Sequence, residues 1–159
     1  MTATEIEKWI EQKYSGLNLI DTYGERSFFY NPENLLPKGV YFATIKIADG
    51  PNDKASNLNR NDIYRLSFGI GKKNFVELFG DVPKRPAKGK IVDLEIDFEE
   101  ENILTPHPIY SWISWVCILK PQQDQINNIV YLLDFAYEKA VKSYNQKRKK
   151  TVANNVYSS

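Results

Sequence analysis

The sequence contains very few of the residues from which metal centres and disulfide frameworks are built. Among its 159 residues there is one cysteine, Cys117, and one histidine, His107. A single cysteine cannot form an internal disulfide, and this pair is too small for a typical zinc site. Cys117 lies in the apolar run WISWVCILK, where a thiol is usually a small buried side chain. We therefore predict no disulfide, no bound metal and no cofactor.

An excess of charge and a long apolar run are also lacking. Lys and Arg number 21 against 20 Asp and Glu, so no overall field attracts the chain to nucleic acid or to an anionic membrane. No apolar run approaches the roughly 20 residues of a membrane-spanning helix. The N-terminal MTATEIEKWIEQ lacks the apolar centre of a signal peptide. These absences predict a soluble, cytoplasmic protein with no membrane partner.

The sequence does contain enough apolar residues for one hydrophobic core. Hydrophobic residues make up 42 % of the chain and aromatic residues 13 %. A domain of this size buries about two thirds of its unfolded surface. Without internal repeats or a linker, residues 1–150 are predicted to form a single domain. Residues 151–159 follow a basic helix end and are predicted to be a flexible tail.

Periodic patterns predict both helices and strands. Helical spacing marks residues 3–14, about 72–79, and a C-terminal segment whose apolar stripe includes Ile126, Ile129, Leu133 and Tyr137. Alternation predicts strands at residues 17–23, 27–30, 41–48, 63–70 and 112–119. This order favours a single-domain α+β fold. We expect an antiparallel sheet of about five strands, with the N-terminal, short middle and long C-terminal helices packed on it.

The acidic segment 91–101, IVDLEIDFEEE, allows two interpretations. Its alternation from Val92 to Phe98 is typical of a strand. Its six acids favour a solvated edge or an irregular segment. Both interpretations stay open at this stage, and a metal-binding or acid/base role for the acids is the weaker reading.

The loop 49–62 and the strand after it carry the first group of candidate site residues. Loops this long within a compact domain are often functional. Asn57, Asn59 and Arg60 could bind a ligand or stabilise a turn through side-chain-to-backbone bonds. Arg65 shares a strand face with Ser67, and its guanidinium is an anion-binding fork if that face lines a concavity.

His107 lies between two prolines and begins the second group. Pro106 and Pro108 restrict its backbone to extended geometry. The imidazole could anchor the loop, bind a ligand, or transfer protons near neutral pH. No nucleophile motif accompanies it. We expect His107 at the edge of the sheet beside residues 57–60, with any anionic ligand raising its pKa.

Aromatic residues follow His107 closely. Tyr110 and Trp112 are candidate ligand contacts, and Trp115 comes three residues later. If residues 112–119 form one strand, Trp112 and Trp115 face opposite sides of the sheet. One of them then belongs to the core, while the other is available as a stacking platform.

An ordered set of segments resembles the bacterial domain of unknown function 6194. The segments are SFFY, YFATI, SNLNR, YRLSFGIGKKNFVELFG, PHPIY, SWVCILKP and LLDFAYEKAV. Together they span about residues 24–142. That family typically shows a Pro-His-Pro-x-Tyr corner, an Asn/Asp-rich loop ending in Arg, and an Arg-bearing strand. These features match Pro106 to Tyr110, Asn57 to Arg60, and Arg65 here. The acidic segment 91–101 and the tail depart from the pattern.

A more remote similarity concerns the C-terminal half. The aromatic strand followed by an LLxxAYxxA helix is similar to the MmcQ/YjbR-like proteins. This resemblance implies an antiparallel sheet with flanking helices and a suggested role in DNA binding. It implies no established activity, so function has to be argued from the site.

Three functions remain as hypotheses. The leading one is a binding module without catalysis, for a small or macromolecular ligand that could be anionic, using Asn57, Asn59, Arg60, Arg65, His107, Tyr110 and Trp112. The second is an enzyme in which His107 is a general acid/base and Arg65 binds an anionic substrate. The third is DNA binding by one continuous basic face formed by Lys84, Arg85, Lys88, Lys90, Lys142, Lys147, Arg148, Lys149 and Lys150. The sequence predicts neither the ligand nor the oligomeric state.

Overall fold

The computed structural model describes the backbone of residues 1–158 and the side chains of residues 1–154. Within this range, three α-helices accompany a six-stranded sheet. The helices are α1 (Ala3–Lys13), α2 (Gly71–Phe79) and α3 (Gln123–Ser158). The strands are β1 (Leu17–Thr22), β2 (Glu25–Tyr30), β3 (Val40–Lys46), β4 (Arg65–Gly69), β5 (Thr105–Pro106) and β6 (Trp115–Leu119). Short 3-10 helices cover Pro32–Asn34 and Ser111–Ile113.

The sheet has the order β1-β2-β3-β4-β6-β5, and every neighbouring pair is antiparallel. The predicted α+β fold with three helices is therefore confirmed. The sheet has six strands where about five were expected. The additional strand, β5, is only two residues long, which is too short for an alternating pattern to reveal it.

The acidic segment 91–101 is irregular, so the strand interpretation is wrong. Two of its backbone bonds run within the segment, from Leu94 N to Val92 O and from Ile96 N to Leu94 O, each at 3.0 Å, and a third runs from Val92 N to Pro108 O. Only Glu101 forms an isolated bridge, with Leu119. The alternation has a different cause: Val92 and Phe98 are buried while the acids between them are exposed.

The helices begin and pack as their sequences predict. Thr2 caps α1, with its Oγ1 accepting from Glu5 N at 3.1 Å. The apolar stripe of α3 is buried against the sheet, including Ile126 and Leu133. The predicted tail, 151–159, overlaps the end of α3, and Ser159 lies outside the described residues. Its flexibility stays a prediction.

The sheet has an apolar face and a polar face. On β4, Leu66 and Phe68 face the core, while Arg65 and Ser67 face the opposite side. The antiparallel register extends each face across neighbouring strands. The apolar face consists of Phe28, Ala43, Ile45, Leu66, Phe68, Val116 and Ile118, which form one cluster with side chains of α1, α2 and α3.

The polar face carries two cross-strand rows. One row contains Ser27, Thr44, Ser67, Cys117 and Thr105; the other contains Glu25, Lys46 and Arg65. Ser67 is 1 % exposed and Arg65 2 % exposed. Polar side chains of this kind are rarely buried without partners. Segments of the loops after β3 and α2 cover these polar side chains. A binding site is therefore expected between these segments and the polar face.

Candidate ligand-binding cleft

A cleft of about 750 Å³ lies between the polar face and the segments that cover it. Its floor includes Glu25, Thr44, Lys46 and Arg65 from three adjacent strands. Its walls are residues 50–53, residues 85–90, and the corner that contains His107, Ile109, Tyr110, Trp112, Ile113 and Trp115, while Tyr41 lies on β3. Binding sites for small molecules commonly enclose roughly 300–1,000 Å³, so the cleft has the dimensions of such a site.

The guanidinium of Arg65 is already engaged by the protein. Its Nη1 donates to Asp53 Oδ1 at 3.0 Å and to Ser56 Oγ at 2.9 Å, while its Nη2 pairs with Asp53 Oδ2. This two-pronged pair attaches the loop after β3 to the sheet. Only Nε of Arg65 has no partner among the described residues. Arg65 lines the cleft as predicted, but Asp53 occupies the fork that was expected to bind an anion.

The positively charged side chains of the cleft differ in whether a carboxylate is paired with them. Lys46 Nζ lies 3.4 Å from Glu25 Oε2, so both carboxylates of the cleft are paired with floor cations. Arg85, Lys88 and Lys90 form no ion pair with a carboxylate in residues 1–154. The cleft therefore has three uncompensated positive charges on one wall.

The wall that carries these cations is attached to the rest of the protein at both ends. At one end, the Arg85 guanidinium lies over the Trp112 ring, 4.7 Å from its centroid. Beyond the other end, Val92 N donates to Pro108 O at 2.8 Å. Between them, a turn is closed by Lys90 N donating to Ala87 O at 2.9 Å. We call residues 85–90 the cationic loop.

His107 extends the edge strand β5 and is tightly anchored. Its backbone N donates to Trp115 O at 3.0 Å. Its Nδ1 accepts from Ile109 N at 3.0 Å and from Tyr110 N at 3.1 Å, which closes the turn after the prolines. The expected position at the sheet edge is thus observed, and so is the anchoring role.

The anchoring bonds determine which ring nitrogen carries the proton. Because Nδ1 accepts two N–H groups, we assign the proton of the neutral ring to Nε2. Nε2 makes no hydrogen bond within residues 1–154, and His107 lines the cleft. His107 as a whole residue is 3 % exposed. It therefore offers a ligand one N–H donor.

Burial lowers the pKa of His107 well below 6.5, and the nearby charges of Arg65 and Lys46 lower the pKa further. The imidazole is neutral at pH 7, so the imidazolium expected with an anionic ligand is not the form present in the free protein. A general base needs a free nitrogen lone pair, yet Nδ1 is occupied and Nε2 is protonated. This arrangement disfavours acid/base catalysis by His107.

Trp112 and Trp115 both line the cleft, so the prediction that they face opposite sides is wrong. Ser114 adopts a left-handed conformation with φ 65°, which separates the 3-10 helix of Trp112 from β6. Trp115 passes over Gly69 of β4. A Cβ on Gly69 would lie 2.9 Å from Trp115 Nε1, so glycine leaves the space that the indole fills.

Asn57, Asn59 and Arg60 do not line the cleft. Asn59 Oδ1 accepts from Asp49 N at 3.0 Å, and Asn57 Nδ2 donates to Glu99 Oε1 at 2.8 Å. Arg60 donates to the carbonyl oxygens of residues 56, 57 and 99. The turn-stabilising interpretation thus describes Asn59 and Arg60, which bond to backbone groups of the loop, whereas Asn57 bonds to the side chain of the distant Glu99. His107 shares the cleft with residues 50–53 of the same loop instead.

Sequence reasoning did not assign Lys46, Asp53 or the cationic loop to the site. Lys46 could have been found, because alternation places it on the same face of β3 as Thr44. The segment 80–90 was recognisable as basic and proline-bearing. Its position over the polar face depends on the contacts of Arg85 and Val92, and no local sequence pattern predicts these contacts.

The basic residues of the DNA-binding hypothesis fall into two groups. Arg85, Lys88 and Lys90 line the cleft over the polar face. Those of the C-terminus lie on α3, the helix that covers the apolar face, where Lys142 and Lys149 border one shallow concavity and Lys147 and Lys150 another. The two groups belong to opposite sides of the sheet, which argues against one continuous basic face.

The part of the chain that the structure describes has neither a metal-binding cluster nor a membrane-spanning helix. No three His, Cys, Asp or Glu side chains come together there in a way that could hold a metal ion. None of the described helices combines the length and the apolar character needed to cross a membrane.

Comparison with known proteins provides a family without an assigned function. Residues 1–150 match the family of unknown function DUF6194. No curated protein and no solved structure matches the chain. The similarity to MmcQ/YjbR-like proteins therefore stays a prediction. Because the match covers nearly the whole chain, the protein belongs to the DUF6194 family.

Proposed function

We propose that the protein is a non-catalytic binding module that takes a small anionic ligand in the cleft. The observation that carries this proposal is the charge of the cationic loop. Arg85, Lys88 and Lys90 have no carboxylate partner in the described structure, although the carboxylates of the floor are paired. These three side chains are exposed but line the cleft, so an anion bound there would compensate their charges.

His107 adds directionality to this attraction. Its Nε2–H is a neutral donor, held in place by the two hydrogen bonds to Nδ1. A fixed donor binds an oxygen without loss of side-chain entropy, and because the ring is neutral, His107 itself adds no pH dependence to binding near pH 7. The aromatic residues beside it exclude water from one side of the cleft.

The test is the binding of pyrophosphate to matched charge-reversal variants, measured by calorimetry. Lys88→Glu should weaken binding at least tenfold, which corresponds to about 1.4 kcal/mol. Lys84→Glu is the control, because Lys84 belongs to the same basic segment and is exposed but does not line the cleft. It should change affinity less than about threefold, through long-range charge alone. Equal losses in both variants, or no binding to the unmodified protein at millimolar pyrophosphate, would contradict the proposal.

A pair of His107 variants separates ligand binding from anchoring. His107→Asn retains an acceptor near the position of Nδ1, as in an Asx-turn, but loses the Nε2–H donor. His107→Gln retains a donor near Nε2 and loses the local acceptor. We expect the Asn variant to fold normally and bind pyrophosphate weakly. We expect the Gln variant to bind well but to lose about 1–3 kcal/mol of stability, since two partly buried N–H groups lose their acceptor. The reverse pattern would refute the assigned roles.

A further inference from the structure

We propose that the anionic ligand is a mononucleotide, whose phosphate lies on the cationic loop and whose base lies against the aromatic wall of the cleft. This inference rests on the proposed function and narrows it to one chemical class. It is carried by the juxtaposition of three kinds of lining: uncompensated cations, aromatic rings, and polar groups on the floor.

The size of the cleft exceeds what a simple anion needs. At about 750 Å³, it lies well within the range of sites for metabolite-sized molecules. An inorganic phosphate on the cationic loop would leave the aromatic wall and the floor without contacts. The ligand therefore has a second part besides its anionic group.

The charge of the cationic loop favours phosphate over a single carboxylate. A phosphate monoester carries about −1.5 to −2 at pH 7 and presents three acceptor oxygens. Arg85 and the two lysines supply three positive charges, and His107 supplies a neutral donor. A lone carboxylate would compensate only one of these charges.

The aromatic wall favours a planar ring in the second part. Tyr110 is 48 % exposed, and Trp112 and Trp115 are half-buried at the cleft. Nucleobases stack on such rings irrespective of base identity. The Arg85 guanidinium, 4.7 Å from the Trp112 centroid, joins the aromatic wall directly to the cationic loop. Ring and phosphate sites are therefore adjacent, as they are in one nucleotide.

The floor offers partners for a sugar between them. Thr44 has a hydroxyl group, Asn52 a carboxamide, and Glu25 a carboxylate of which only Oε2 is paired, with Lys46. These groups can donate to or accept from ribose hydroxyls. The three linings together match base, sugar and phosphate in one molecule.

The experiment compares whole nucleotides with their parts. Calorimetry would measure the binding of AMP, GMP, CMP and UMP alongside adenosine, ribose 5-phosphate and pyrophosphate. We expect at least one nucleotide to bind tenfold or more tightly than ribose 5-phosphate and than adenosine. Nucleotides that bind no more tightly than ribose 5-phosphate would overturn the nucleotide assignment. The anion-binding function would still stand if ribose 5-phosphate or pyrophosphate bound, and would fail with it if none did.

Three variants add an independent readout. Tyr110→Leu, which leaves the Arg85–Trp112 contact of the cationic loop in place, should weaken nucleotide binding at least fivefold while changing pyrophosphate affinity less than twofold. Lys88→Glu should weaken the binding of both ligands. Lys84→Glu should weaken the binding of neither by more than about threefold, because screening limits the effect of a distant charge. Circular dichroism would establish that each variant is folded. A Tyr110→Leu protein that is folded and loses affinity for both ligands equally would show that the ring contributes no base recognition.

Discussion

Both faces of the sheet are buried, but different structures bury them. The helices cover the apolar face, and side chains such as Phe68 and Val116 fill the space between helix and strand. Mostly irregular segments cover the polar face, and between them and the strands a cleft of about 750 Å³ remains. The same strand contributes to both faces, since β4 alternates between the two environments residue by residue.

The difference shows why the site lies where it does. An apolar face is stabilised by close packing, which leaves no room for a ligand. A polar face needs hydrogen-bonding partners instead, and loops supply them at particular points, as Asp53 does for Arg65. Where the loops do not reach, some buried polar groups remain without a partner in the described part of the chain. On the polar face these are Arg65 Nε and Ser67 Oγ, which have no partner among the described residues.

The largest expected effect comes from substituting two adjacent residues of β4 that face opposite sides of the sheet. Phe68→Ala should lower the free energy of unfolding by about 3–5 kcal/mol, because it leaves a cavity under the helices. Ser67→Ala should change it by less than about 1 kcal/mol, because the hydroxyl it removes has no partner. Urea denaturation measures both. Equal costs would mean that the polar face is packed as tightly as the apolar one.

The next effect concerns the pair that closes the polar face. Arg65→Met should lower the free energy of unfolding by about 3 kcal/mol, because Asp53 and Ser56 lose their partner in a largely buried place. Adding Asp53→Asn should recover part of the loss, since no carboxylate is then left unpaired. Chemical denaturation of both proteins tests this expectation. An Arg65→Met protein of unchanged stability would show that the loop is held by other contacts.

A smaller effect is the dependence of stability on pH. The unfolded chain binds a proton at His107 near pH 6.5, whereas the folded protein does not, because the folded pKa is lowered. Acidification therefore favours unfolding. Between pH 7.5 and 5.5, His107 should lower the free energy of unfolding by about 1.4 kcal/mol. His107→Asn should abolish this part of the dependence. Since the chain has no other histidine, the difference between the two proteins is specific. Parallel pH profiles would contradict a buried neutral ring.

Local sequence patterns predicted those features of the two faces that depend on residues close together in the chain. The alternation of residues 63–70 placed Arg65 and Ser67 opposite Leu66 and Phe68, and the stripe of α3 identified the helix that covers the apolar face. The sequence also indicated three possible roles for His107, as a loop anchor, a ligand contact or a proton-transfer group, because two prolines and one imidazole leave few roles.

The remaining features depend on contacts between residues that are distant in the chain. The pairing of Asp53 with Arg65 requires the loop after β3 to fold back on the sheet. The position of the cationic loop requires Arg85 to reach Trp112. The prediction that Trp112 lies on the same strand as Trp115 is wrong, because Ser114 interrupts the strand with a left-handed conformation that serine rarely adopts.

The most direct test of the proposed site is the nitrogen NMR spectrum of the single histidine. We expect a neutral ring with its proton on Nε2, unchanged between pH 5.5 and 8, and an Nε2–H resonance that shifts when pyrophosphate is added. A ring that titrates near pH 6.5, or one protonated on Nδ1, or an Nε2–H signal indifferent to every anion tested would contradict this site.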